Sequence, residues 1–182
     1  VENLEALGER PVAVDLLAPQ GERAEAGVSL LKVYHRLDTL VLSDVLPMLE
    51  NLGLRVLEQV AYPLHAAHGL HGIDVFRVQD ARGRALDVRR DGDRLIRAVE
   101  QLLAGGVDSD RLNRLVLAAG LTLREVALLR AYQMVYAQVN TATSRSFVND
   151  VLLANPEGVR PLLRYLETRF APALEGDRAA AM

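Results

Sequence analysis

The sequence predicts an α+β fold: an antiparallel sheet of split β-α-β character with helices on one face, followed by an α-helical bundle. Three observations lead there. Period-two runs such as Val12-Ala13-Val14-Asp15-Leu16 fall in the first half of the chain, and that period marks a strand with one buried face. The run KVYHRLDTLVLSDVLPMLENLGLRVLEQVAYP, Lys32 to Pro63, reads as strand, helix, strand. The run LNRLVLAAGLTLREVALLRAY, Leu112 to Tyr132, reads as two helices meeting at Gly120. The division is an α+β module over 1–88 and a helical segment over 89–182, with a tail that frays from about residue 173. No long linker separates the halves, so they are expected to pack together.

Taken in order, Pro11 to Ala18 and Val28 to Tyr34 are strands, expected to form an antiparallel pair across the polar loop opened by Pro19-Gln20-Gly21. Ser43 is placed as the N-cap of a helix, its hydroxyl accepting from a free amide of the first turn, and Asp44 follows where the helix dipole favours an anion. Pro47 is tolerated within that first turn, where amides lack intrahelical partners, and Gly53 supplies a left-handed stop. Arg55 to Tyr62 and Ile73 to Val78 are two further strands, with a turn at Asp80 to Gly83 and a helix from about Asp93 to Ala104.

Gly105-Gly106 breaks the chain, and Asp108 is expected to cap the helix carrying Leu112, Leu115 and Val116. Thr122-Leu123-Arg124-Glu125 is a capping box. The helix after it, to about Val139, is apolar on most sides, as a central bundle helix is. Phe147, Val148, Val151 and Leu152 mark a shorter helix, and Val159, Leu162, Leu163, Leu166 and Phe170 mark a last one, whose first turn Gly158 and Pro161 weaken.

Composition excludes several functions. The net charge is −3 and the basic residues are scattered, which argues against a nucleic-acid surface. Cysteine is absent, which removes disulfides, thiolate metal sites and a Cys nucleophile, and fits a cytoplasmic setting. No apolar run reaches the ~18 residues of a membrane helix. The chain opens at Val1 without a signal-peptide pattern and reads as a piece of a longer protein. Lys32 is the single lysine among 21 basic residues, so any mechanism needing a second lysine is excluded.

Candidate chemistry is sparse. His65, His68 and His71 are spaced by three between two strands, and only Asp74 is near enough to complete a metal set; a solvated loop accounts for them as well. Ser144 and Ser146 have no evident base, and Asp108 with Asp110 is explained by capping as readily as by a carboxylate dyad. G-x-G-x-x-G, G-x-x-x-x-G-K-[ST] and H-E-x-x-H are all missing. One positive possibility is the turn Leu37 to Leu42, which leads from a strand into a helix N-terminus whose amides can hold a carboxylate. Its residues, as a candidate effector site, are Asp38, Thr39, Ser43 and Asp44, although an ordinary strand–helix loop has the same appearance.

LSDVLPMLENLGLRVLEQVAYPL resembles the ACT-like regulatory module of the large multidomain bacterial NAD-dependent glutamate dehydrogenases. LNRLVLAAGLTLREVALLRAY and ANPEGVRPLLRYLETRFAP resemble the helical segment that follows it, so the likeness runs from about Val28 to Pro172. The resemblance implies a ferredoxin-like, ACT-like sheet in a non-catalytic regulatory and assembly segment. It implies a cytoplasmic parent enzyme of amino-acid catabolism that oxidises L-glutamate to 2-oxoglutarate and ammonia. NAD would be bound elsewhere in that parent and no cofactor here. The partners implied are the rest of the parent chain, further copies in a homo-oligomer and an amino-acid effector. No position matches the family's catalytic lysine or aspartate. Leu123 stands where the family usually has tryptophan, and Leu37-Asp38 where it has Pro-Gly, which weakens the turn as an amino-acid site. The alternative is a stand-alone ACT-like amino-acid-sensing or protein-interaction domain.

Overall fold

In a computed structural model of the chain, the described residues are 12–18, 27–36, 40–66, 69–140 and 142–170, with side chains 65–70 excluded. The α+β unit contains strands β1 (Val12–Leu17) and β2 (Ser29–Arg36), helix α1 (Leu42–Asn51), strands β3 (Arg55–Ala66) and β4 (Gly69–Gln79), and helix α2 (Val88–Leu103). The helical unit follows as a 3-10 turn at Arg111–Arg114, the single turn α3 (Leu115–Ala118), α4 (Leu123–Val139), α5 (Arg145–Ala154) and α6 (Pro156–Phe170).

The four strands stand in the order β1-β2-β4-β3, and every neighbouring pair is antiparallel. Since β2 and β3 both run against the β4 between them, they are parallel to each other and joined by α1, which is the split β-α-β arrangement. The pleat sends alternate residues to opposite faces. Leu31, Val33, Phe76 and Val78 are fully buried on one face, under Val45 and Leu49 of α1 and Leu95, Ala98, Val99 and Leu102 of α2. The other face carries Leu30, Lys32, Val60, Tyr62, Ile73 and Val75, and no described helix covers it.

A β-bulge between Val56 and Glu58 decides which residues of β3 go where. Val56 pairs with Val78 on the covered face; the extra residue Leu57 is exposed, and Glu58 then falls opposite Arg77 on the open face. There the two form an ion pair at 2.8 Å. Unbroken alternation would have sent the Glu58 carboxylate beneath the helices. Both β3 and β4 run past the sequence expectation, to Ala66 and from Gly69. Pro63 is compatible with this because β3 is an edge strand, where a missing ladder donor costs little.

Three helix starts differ from the sequence reading. Ser43 is not the N-cap of α1: Val41 is, without a side-chain bond, and its carbonyl accepts from the amides of Asp44 and Val45 at 3.0 and 3.2 Å. Helix α2 begins at Val88, five residues before the expected Asp93, because Asp87 caps it by accepting from the amide of Arg90 at 3.1 Å. Gly92 in its second turn conceals that start, yet it fits there because a Cβ would meet Val88 Cγ1 at 3.3 Å. In the helical unit the cap is Asp110, which accepts from the amide of Leu112 at 2.9 Å, in place of Asp108. The capping box forms in full between Thr122 and Glu125.

One apolar core runs through both units. Leu112, Leu115, Val116, Leu121, Leu123, Val126, Val159 and Leu163 join the sheet and helix residues of the α+β unit in a single cluster. The helix α4 is central only at its first half: Met134, Val135, Tyr136 and Val139 near its end are exposed, as are Phe147, Tyr165 and Phe170 of the following helices. The division at residues 88 and 89 falls at the start of α2, a helix that packs on the sheet.

Candidate functional site

Of the predicted effector turn, Asp38 and Thr39 lie outside the described residues. Ser43 and Asp44 are exposed in the first turn of α1, with no side-chain hydrogen bond among the described residues. The amides of Asp44 and Val45, which a bound carboxylate would need, already donate to the Val41 carbonyl.

The three histidines do not form a cluster of described side chains. His65 ends up in β3 and His71 in β4, while His68 and the side chain of His65 lie outside the description. Among the described residues no group of three metal-binding side chains converges. Asp110 is not half of a dyad either, since its carboxylate is held by Arg130. Ser144 caps α5 by accepting from the amide of Phe147 at 3.1 Å.

The sequence reading missed a buried polar chain across the middle of the sheet. His35 Nε2 lies 2.7 Å from Asp74 Oδ2, and His35 Nδ1 lies 2.7 Å from the carbonyl oxygen of Arg36. Asp74 Oδ1 accepts from the amide of Gln59. A carbonyl oxygen cannot donate, so Nδ1 is the donor to Arg36, and Nε2 is turned to the Asp74 carboxylate. Both ring nitrogens are thereby engaged, which leaves His35 no free lone pair for base catalysis. A signal existed: His35 follows Leu31 and Val33 in phase, and Asp74 precedes Phe76 and Val78 in phase, so two polar residues occupy core-facing positions on paired strands.

A cleft of about 710 Å³ lies where the two units meet. The β4–α2 turn supplies Asp80, Arg82, Arg84 and Asp87; α2 supplies Arg90 and Asp91; and the helical unit supplies Arg114, Leu117, Leu153 and Pro156. Its acids are all engaged. Burial opposes ionisation of Asp80, but the amide and guanidinium of Arg84 and the amide of Arg82 outweigh it and hold the carboxyl below its ordinary value. Asp87 caps α2. Asp91 is buried and takes a guanidinium from each side, Arg90 at 2.7 Å and Arg94 at 2.5 Å. Arg94 Nε also donates to the carbonyl of Val116 at 3.0 Å, tying α2 to α3. Hydrogen bonding and charge from Asp91 raise the pKa of Arg90. Arg82 and Arg114 have no acidic partner among the described residues.

Beside the cleft, Arg130 of α4 grips Asp110 with Nε at 2.8 Å and one terminal nitrogen at 2.9 Å, and also donates to Asn113 Oδ1 at 2.5 Å. Burial raises the pKa of Asp110, but the hydrogen bonds and charge of Arg130, the Leu112 amide and the charge of Arg145 hold it below the ordinary carboxylate value.

An antiparallel split β-α-β sheet with two helices on one face defines an ACT-like module, here fused through a common core to a helical unit. The family model for the glutamate dehydrogenase ACT3 domain matches residues 11–90, and that for glutamate dehydrogenase helical motif 3 matches residues 107–172. The NAD-specific glutamate dehydrogenase of Halomonas elongata is 36% identical over 184 residues, covering 97% of this chain and 11% of that protein. That of Pseudomonas aeruginosa is 37% identical over 93% of this chain and 10% of its own length. That of Mycobacterium tuberculosis is 34% identical over 86% and 10%. The chain belongs to the NAD-specific glutamate dehydrogenase family, within its ACT3 and helical motif 3 region. It spans about a tenth of the length of these relatives.

Proposed function

We propose that this chain is a non-catalytic regulatory and assembly segment of an enzyme that oxidises L-glutamate to 2-oxoglutarate and ammonia with NAD, in the cytoplasm, in amino-acid catabolism. The observation that carries this reading is the match to an ACT3 domain and to helical motif 3, in that order, with relatives named as NAD-specific glutamate dehydrogenases. The site chemistry agrees: the buried His35–Asp74 pair is closed on itself, and the acids of the inter-unit cleft are engaged with arginines or a helix cap.

Assembly is supported by two apolar surfaces. The open sheet face exposes Val60 and Tyr62, and the ends of α4 to α6 expose Val139, Phe147 and Phe170. Apolar patches of this kind mark packing surfaces in larger assemblies. The rest of the parent chain and further copies in a homo-oligomer are the partners in this reading, with an amino-acid effector as a third.

The test is glutamate-dependent reduction of NAD by the full-length parent and by this 182-residue chain, prepared side by side. The parent is expected to turn over and the short chain to be silent. Turnover by the short chain, or a silent parent, overturns the proposal.

A further inference from the structure

We propose that the cleft between the two units binds a small organic dianion of the dicarboxylate class, held by Arg82 from the α+β unit and Arg114 from the helical unit. The inference deepens the regulatory reading above, because it places an effector site away from the turn at Asp38 to Asp44.

Charge comes first. The chain as a whole is negative, at −3, yet this cleft is lined by Arg82, Arg84, Arg90 and Arg114 against three aspartates. Each aspartate is engaged locally, Asp80 by Arg84, Asp91 by Arg90 and Arg94, and Asp87 by the amide of Arg90. Among the described residues, Arg82 and Arg114 are left as two guanidinium groups without an anionic partner, one on each unit. Arginine suits this task, since its planar fork of donors matches a carboxylate and it stays charged at any accessible pH.

The position of Arg114 is constrained. Gly53, with φ of +86° at the end of α1, leaves its α-carbon open, and a Cβ there would lie 3.5 Å from the Arg114 Cγ. The side-chain stem thus rests over the glycine at the cleft wall. Arg82 sits in a turn whose backbone is held by Asp80, which accepts from the amides of Arg82 and Arg84 at 2.9 and 2.8 Å.

Shape and lining choose among anions. Leu52, Leu86, Leu117, Leu153 and Pro156 give the cleft an apolar component, suited to a short carbon body between two charged ends. Among the described residues, the lining contains no aromatic side chain on which a nucleotide base could stack. A ligand held by both units also favours their joined arrangement over any in which they separate, because binding to one state stabilises that state.

The experiment is hydrogen exchange on the full-length parent, with succinate as the probe and inorganic phosphate as a second arm. Slower exchange is expected in peptides covering residues 80–87 and 111–118 with succinate, and its loss in an Arg82→Gln/Arg114→Gln double variant. Losing a charge-assisted contact weakens binding about tenfold or more. Arg89→Gln, at an exposed arginine of α2 outside the cleft lining, should keep the response and controls for general charge loss. Unchanged exchange at both peptides, equal slowing in the double variant, or slowing by phosphate alone overturns the proposal. Glutamate-dependent NAD reduction by the same preparation reports separately on the identity of the parent.

Discussion

Gly72 lies against the ring of His35, so close that a Cβ on Gly72 would come within 2.8 Å of the histidine Cε1 and 2.9 Å of Nε2. The ring cannot retreat, because its two nitrogens are held by Asp74 and by the carbonyl of Arg36. Gly72→Ala is therefore expected to destabilise the 182-residue chain by about 1–3 kcal/mol, the range for overpacking a tight site. Urea unfolding measures it. His35→Ala combined with Gly72→Ala should cost less than the two single costs added, since the first removes the clash that the second creates. Strict additivity would break this account.

Arg130 holds the start of the helical unit. Its side chain is only 7% exposed, and it bonds Asp110 and Asn113 at once. Arg130→Ala leaves Asn113 buried and short of a donor, and removes charge-assisted bonds that contribute about 1.5–3 kcal/mol each. A loss of about 2 kcal/mol or more is expected in thermal or urea unfolding. Arg130→Lys should not restore it, because an ammonium cannot make the paired fork onto Asp110.

Acid should loosen both units, at the β4–α2 turn through Asp80 and at the start of the helical unit through Asp110. Asp80 and Asp110 both titrate below their ordinary value of 3.8 in the folded chain. Between the folded and unfolded values the unfolded chain binds more protons, so stability rises with pH there. The contribution of these two carboxylates is thus complete above about pH 5 and declines as pH falls through their lower folded values. Asp110→Asn should flatten that acid-side decline in a pH series of melting temperatures.

The open sheet face gives an assembly prediction. Val60→Lys with Tyr62→Lys replaces two exposed apolar side chains, 38% and 51% accessible, so the fold should lose little. Sedimentation of the full-length parent should show weaker association if that face is an interface between copies. An unchanged oligomer would move assembly to the exposed ends of α4 to α6.

The sequence made the layer order legible because two periods alternate cleanly. Val12 to Leu16 repeats by two, Val126 to Leu129 repeats as a helix, and the capping box at Thr122 and Glu125 pins a boundary without tertiary help. It misled where a cap is tertiary or hidden. Ser43 has the right chemistry for a cap, but the backbone enters α1 two residues earlier, at Val41; Gly92 obscures the true cap at Asp87. The candidate sites were harder still. His35 and Asp74 are separated by 39 residues, and only the register of β2 against β4 brings them together. The cleft draws on Arg82 and Arg114, whose proximity depends on the docking of two units.

Lys32 carries the only side-chain amine in the chain, and it sits on the uncovered face between Leu30 and Tyr34. An acylating reagent can therefore mark this surface at a single atom, and the marked peptide can be read by mass spectrometry within a much longer polypeptide. The extent of acylation then reports whether that surface is shielded in the working enzyme, with no substitution and no added tag.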